Sequence, residues 1–400
     1  MMNRQETDLP SGCLNQVCHF DVYFFICPLR RKIMNEHLAA LQTWIGEEGL
    51  DLAYISDPIN INYYTGFFQD PEERITALIV APDHDPFLFT PQLTIEEVKK
   101  AGWAYPVFGY LDHEDPFAKL ASHIKTVNPN PTKWAIEKDN LAVFKFEAIM
   151  KQFPDATFPI DASRFIEKQR LIKTASEIKQ MEAAGAQADR AFQAGFNAIK
   201  AGATEQEVAA EIDYAMMKEG VMHMSFGTIV QAGVDAANPH GEPMGTKLAP
   251  NELVLFDLGT DNHGYMSDAT RTVAFGQVTG KPREIFDICL EANLTAMDAV
   301  KPGLKASELD KIARDIITKA GYGEYFNHRL GHGIGMSTHE FPSIMEGNDM
   351  ILQPGMCFSI EPGIYVPGVA GVRIEDCVHV TETGCEPFTH TSKEFTVING

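Results

Sequence analysis

No stretch of this 400-residue chain approaches the roughly 18–20 consecutive apolar residues that cross a bilayer as a helix. Positive charge is also scarce. There are 33 Lys and Arg against 55 Asp and Glu, a formal charge of −22. That balance argues against nucleic acid and anionic membrane surfaces as partners. The seven cysteines are odd in number and show no paired spacing. Cys289, Cys357, Cys377 and Cys385 sit in apolar or strand-like contexts, which predicts buried thiols in a reducing cytoplasm rather than a disulfide framework. With 44% hydrophobic residues, the chain can still bury a substantial core, and its length allows two or three domains.

The first 33 residues differ from the rest. Three cysteines and an aromatic stretch, His19 to Phe25, precede Arg30-Arg31-Lys32. Basic residues after the apolar part reverse the order of a secretory signal. We expect residues 1–33 to be a non-native or disordered extension ahead of a start at Met34. From Asn35 onward, helical and strand patterns alternate. A helix carries Leu38, Leu41, Trp44 and Ile45, strands follow at Leu52–Ser56, Ile75–Val80 and Pro86–Thr90, and α/β alternation continues to about Gln152. This predicts an α/β domain over 34–165. It has no Gly-rich phosphate loop and no acid/His cluster at ligand spacing. Its one dense charge cluster is Gln69-Asp70-Pro71-Glu72-Glu73-Arg74, read as a solvated loop or as a loop reaching a binding cleft.

The second domain, 166–400, is organised around residues 253–271. The apolar run Leu253–Phe256 delivers Asp257 at its end, a turn with Gly264 follows, and a second segment presents Asp268. Read as a hairpin, this puts two acids on facing strands. A lone buried carboxylate costs several kcal/mol, and two together raise each other's pKa. Either the hairpin is a solvated surface feature or a cation sits between the acids. The chain then repeats the device. Met356–Ile360 ends in Glu361, and Val372-Arg373-Ile374 brings in Glu375 after a Pro/Gly-rich turn. Between the two lies Arg329-Leu330-Gly331-His332-Gly333-Ile334-Gly335, a histidine that a small ion can approach. Four carboxylates and one imidazole form a hard donor set, better suited to two divalent ions such as Mn, Fe or Co than to structural zinc.

A repeat at an offset of 101 supports one composite site. Ile199-Lys200-Ala201-Gly202 resembles Val300-Lys301-Pro302-Gly303, and Lys218-Glu219-Gly220 resembles Lys319-Ala320-Gly321. Each copy reads as helix, turn, helix and then strands ending in acids. Two such copies about a pseudo-twofold axis would converge their carboxylates.

Asp257, Asp268, His332, Glu361 and Glu375, at spacings of 11, 64, 29 and 14 within DLG, SDATRT, GHGIG, EPG and RIED, resemble the ligand set of the pita-bread metallopeptidases. That family includes methionine aminopeptidase, aminopeptidase P and prolidase. The resemblance is nearest to its bacterial Xaa-Pro dipeptidase (prolidase) branch, of the lactic-acid-bacterial type. It extends to the N-terminal domain shared with creatinase. It implies a mixed α/β (α+β) architecture, with a creatinase-like N-terminal domain and a C-terminal pita-bread domain of pseudo-twofold symmetry. It implies two divalent metal ions, Mn²⁺ foremost, with Co²⁺ or Zn²⁺ as alternatives. Asp257 would hold one ion, His332 and Glu361 the other, and Asp268 and Glu375 would bridge. A bridging hydroxide would attack the imide bond of an Xaa-Pro dipeptide, with Glu361 as general base. His240 and His339 would contact substrate and stabilise the oxyanion, with His328 a weaker candidate. The resemblance departs at Ser343, where many prolidases carry a carboxylate-binding Arg. It therefore leaves that contact to Arg373, or to Arg74 of the Asp70–Arg74 loop reaching a homodimer partner's active site. The rival readings are Xaa-Pro aminopeptidase on longer peptides, a metal-free creatinase-type C–N hydrolase, a lyase acting on a small sulfonium substrate, and a non-catalytic binding protein on the same fold.

Overall fold

A computed structural model describes residues 35–399; the extension expected over residues 1–33 lies outside the described residues. Helix Glu36–Glu47 comes first in the chain. The Asn35 side chain accepts from the His37 amide, and Leu38, Leu41 and Ile45 face inward. Six strands form one mixed sheet, in the order Val107–Tyr110, Phe87–Pro91, Ala77–Val80, Leu52–Ile55, Lys133–Ile136, Thr157–Asp161. Leu52–Ile55 is buried at every position because it lies in the sheet's middle. It pairs antiparallel with Ala77–Val80 and parallel with Lys133–Ile136. Trp134, Phe89, Phe117 and Phe153 build the core on this sheet.

Two helices here escape the sequence pattern. Pro58–Thr65 is capped by the Asp57 carboxylate and closed by Gly66 at φ 72°. Ala162–Leu171 follows directly on strand Thr157–Asp161 and runs across the expected boundary between residues 165 and 166.

The remainder shows the expected duplication. Helices Ala175–Ala198 and Glu205–Lys218 each start with a Thr/Glu capping box. Lys281–Ala299 and Ala306–Lys319 are their counterparts. The turn between the helices of each pair holds a glycine at positive φ, Gly202 at 83° and Gly303 at 91°, which other residues adopt at a cost. The strands run Ile229–Ala232, Glu252–Leu258, Ala269–Phe275, then Glu375–Val380, Cys357–Ile360 and Gly331–Gly333 across one sheet. That order is a palindrome of the two copies. Its centre is the antiparallel contact of Ala269–Phe275 with Glu375–Val380, and each half backs onto its own apolar cluster.

Candidate metal centre

The palindrome brings four strand ends together. Asp257 lies across from Thr270, and Asp268 directly precedes strand Ala269–Phe275. Ile360 lies across from Asp376, so Glu361 and Glu375 stand at the matching ends of the other copy. His332 arrives on Gly331–Gly333, the neighbour of Cys357–Ile360. Gly331 is required for that approach, because a Cβ there would lie 1.8 Å from the Ser359 carbonyl oxygen.

All five side chains line one cavity of about 990 Å³. His332 Nε2 is 3.3 Å from Glu361 Oε1 and 3.5 Å from Asp268 Oδ2. Donor atoms of Asp268, His332 and Glu375 lie within 4.8 Å of one another. His332 Nδ1 lies 3.2 Å from the Gly333 carbonyl, which places the proton on Nδ1 and leaves the Nε2 lone pair toward the carboxylates. The Thr270 hydroxyl donates to Glu375 Oε2 at 2.7 Å, and Ser359 to Glu361 Oε1 at 3.0 Å. Arg373 donates to Asp257 Oδ2 at 2.5 Å and to the Tyr365 hydroxyl at 2.8 Å.

Electrostatically the cluster is short of positive charge. Burial, and then the Glu375 charge, raise Asp268 well above the usual carboxylate range. Burial, and then Glu361, do the same to Glu375. Burial lifts Glu361 to about 7 against the pull of Arg373. His332 is pushed down to about 3 by burial and is neutral. Asp257 Oδ1 and Glu375 Oε1 are buried without a hydrogen-bond partner among the described residues. Two partnerless carboxylate oxygens and a bare imidazole nitrogen, all hard or borderline donors, fit divalent cations.

The other residues singled out from the sequence separate into two groups. His240, His328, His339 and Arg373 line the same cavity. The His339 ring meets His332 edge-on at 4.1 Å, and burial, then the Arg329 charge, hold it below the usual imidazole value. His328 is fixed between the Arg329 carbonyl and the Tyr365 hydroxyl, and burial pushes it down to about 4. Asp70 and Arg74 do not line the cavity in their own chain. Arg74 pairs with Asp112 and Glu73, and Asp70 accepts from the Glu72 amide.

Sequence reasoning gave no role to Arg329. It lines the cavity, donates to Ser343 Oγ at 3.1 Å, and has no carboxylate partner among the described residues. Its place three residues before His332, on the same run, was the available signal. Arg170 and Lys173 were also passed over, and both grip Glu340 beside His339.

The Metallopeptidase family M24 model matches residues 179–382, and the Creatinase/Prolidase N-terminal domain model matches 37–172. The chain is 55% identical to a Lactobacillus helveticus protein named Xaa-Pro dipeptidase, over 90% of this chain and 99% of that one. It is 56% identical, over the same shares, to the protein of that name from Lactobacillus delbrueckii subsp. lactis. Among solved structures, a Xaa-Pro dipeptidase from Bacillus anthracis superposes with a TM-score of 0.83 at 35% identity, covering 90% of this chain and 99% of that one. An X-Pro aminopeptidase from Thermotoga maritima gives 0.81 at 29% identity, covering 91% and 100%.

Proposed function

The chain belongs to metallopeptidase family M24, and we propose that it is a dipeptidase that hydrolyses Xaa-Pro dipeptides with two divalent metal ions, Mn²⁺ foremost. The observation that carries this reading is the identity of 55% to a named Xaa-Pro dipeptidase along essentially its whole length. The donor set supports the metals. Asp257, Asp268, His332, Glu361 and Glu375 would hold them, with Asp268 and Glu375, the acids nearest the pseudo-twofold axis, shared between both. When bound, the cations supply hydroxide near neutral pH and polarise the scissile carbonyl.

The chain's own groups do the rest. Glu361 would take a proton from the attacking water and return it to the leaving imide nitrogen. That nitrogen carries no N–H, so a peptidase that grips one fails on this bond. His240 and His339 face the cavity as hydrogen-bonding groups for the carbonyl oxygen and its oxyanion. Thr270 and Ser359 hold the Glu375 and Glu361 carboxylates in place. Arg373 is committed to Asp257, Tyr365 and Thr270. Arg329, which has no carboxylate partner among the described residues, is therefore the cation for the substrate carboxylate, and that charge pair restricts the enzyme to dipeptides.

The same reading makes the protein a cytoplasmic homodimer. Its four described thiols are free, and no described helix is long and apolar enough to cross a membrane. The Asp70–Arg74 loop, exposed and turned by Glu72 at φ 53°, would approach the partner's cavity. The test is hydrolysis of Leu-Pro and Leu-Pro-Pro by metal-stripped protein with and without Mn²⁺. Manganese-dependent cleavage of Leu-Pro alone is expected. Cleavage of the tripeptide would move the assignment to an Xaa-Pro aminopeptidase.

A further inference from the structure

We infer that Asn60, on the N-terminal sheet domain, positions His339 in the cavity through Arg170. The inference rests on the reading of His339 as a substrate-contacting residue. Asn60 Nδ2 donates to Glu137 Oε1 at 2.7 Å, and its Oδ1 accepts from Arg170 Nη1 at 2.8 Å. The amide has one possible orientation, because a guanidinium only donates, so Oδ1 must face Arg170 and Nδ2 is left to face Glu137. Glu137 is fully buried, and its other oxygen accepts the Ser56 and Asp57 amides at 2.5 and 2.8 Å. Asn60 is thereby anchored to the backbone of its own domain.

Arg170 carries the linkage across. Its Nη2 donates to Ser337 Oγ at 2.8 Å and pairs with the Glu340 carboxylate. Lys173 Nζ takes the other Glu340 oxygen at 2.5 Å. Ser337 and Glu340 flank His339, two residues before and one after. Residues 335–339 belong to neither helix nor strand; the ladder resumes at Glu340, paired with Gly333, and the Thr338 hydroxyl donates to the Ser225 carbonyl at 3.3 Å. One guanidinium nitrogen holds both of its flanks.

The linkage is separable from the general cohesion of the two domains. The Tyr63 and Tyr64 hydroxyls donate to Gln169 at 3.2 and 2.5 Å, and Gln169 donates to the His37 carbonyl at 3.0 Å. These bonds tie helix Ala162–Leu171 to the N-terminal domain without Asn60. Asn60, Arg170, Ser337, His339 and Glu340 also line a second cavity of about 460 Å³. Truncating Asn60 therefore extends an existing space and opens no void in an apolar core.

The experiment is a double-mutant cycle on the full manganese-loaded protein, with Leu-Pro as substrate. In the native background we expect Asn60→Ala to lower kcat by about tenfold, as small displacements of a reacting group do. KM, and Mn²⁺ affinity by calorimetry, should stay within about twofold. In a His339→Ala background the same change should cost less than about twofold, because coupled residues are not additive. An equal loss in both backgrounds, or an unchanged kcat in the first, overturns the inference. A His339→Ala protein with unchanged kcat overturns instead the reading of His339 beneath it. Ser337→Ala cuts the arm of the linkage that reaches the irregular segment, leaves the Arg170–Glu340 pair in place and does not touch the N-terminal domain. It should reproduce the tenfold loss where Asn60→Ala does not fold, and an unchanged kcat there also overturns the inference.

Discussion

Arg373 and Asp257 form a buried ion pair at the end of the paired strands, with Nη2 2.5 Å from Oδ2. The pair fixes one carboxylate oxygen and leaves the other, Oδ1, buried and without a partner among the described residues. Arg373 reaches Thr270 and Tyr365 with its remaining nitrogens, which a lysine cannot do from one ammonium. Arg373→Lys should therefore weaken divalent-metal binding by roughly tenfold or more, the usual size of effect when a partner that orients a ligand is lost. Calorimetric titration with Mn²⁺ checks this. An unchanged affinity would mean that Asp257 is oriented by the strand pairing alone.

Metal removal should destabilise the protein in a pH-dependent way. Without cations, Asp268 and Glu375 sit well above the usual carboxylate range and Glu361 at about 7. The folded chain then holds protons that the unfolded chain releases. The stability that these three groups contribute is fully present below the usual carboxylate range and is lost as pH rises through neutrality. Bound cations replace those protons. The rise in Tm on adding Mn²⁺ should be larger at pH 8 than at pH 5.5, and an increment independent of pH would contradict the charge argument.

Much of this was readable from residue order. Asp257, Asp268, Glu361 and Glu375 could be placed because each ends or opens an apolar run, and strands present residues at fixed ends. The duplication showed in the matched helix turns at Gly202 and Gly303. Helix Pro58–Thr65 was hidden, because its buried residues, Ile61 and Tyr63 to Thr65, span little more than one turn, too short a stretch for a 3.6-residue period to register. Helix Ala162–Leu171 was hidden because it buries only Ala162, Ser163 and Ile166. Arg329 and Arg170 were hidden for another reason. A long cationic side chain can reach any of several partners, and only the tertiary arrangement selects Ser343 for one and Glu340 for the other.

Glu137 gives the N-terminal domain its own pH dependence. Burial raises its pKa from 4.5 to about 7 against the pull of the Ser56 and Asp57 amides and Asn60. The folded state favours the protonated form, so stability is lost as pH rises between those values, by about 2–3 kcal/mol from pH 5 to pH 8. Glu137→Gln is less stable throughout, because its carbonyl can take the Ser56 and Asp57 donors while its NH2 then meets the Asn60 Nδ2 donor, but it lacks this slope. Urea denaturation of both proteins at the two pH values should show the wild type losing that amount relative to the variant. Parallel behaviour would mean that Glu137 stays ionised across the range.

Arg329 should govern affinity for the free carboxylate of the substrate. It is half-buried, bonded to Ser343 among the described residues, and faces the cavity beside His339. A charge-assisted hydrogen bond contributes about 1.5–3 kcal/mol, so Arg329→Ala should raise KM for Leu-Pro by roughly 10–100-fold. The chemical step should change much less, because the bond is made equally in ground and transition states. Leu-Pro-amide separates this from a general loosening of the cavity. The wild type should bind the amide about as weakly as the variant binds Leu-Pro, and Arg329→Ala should treat the two substrates alike. If the variant still prefers the free acid, the carboxylate is met elsewhere. The same comparison on Arg74→Ala would then ask whether the partner's loop supplies the charge.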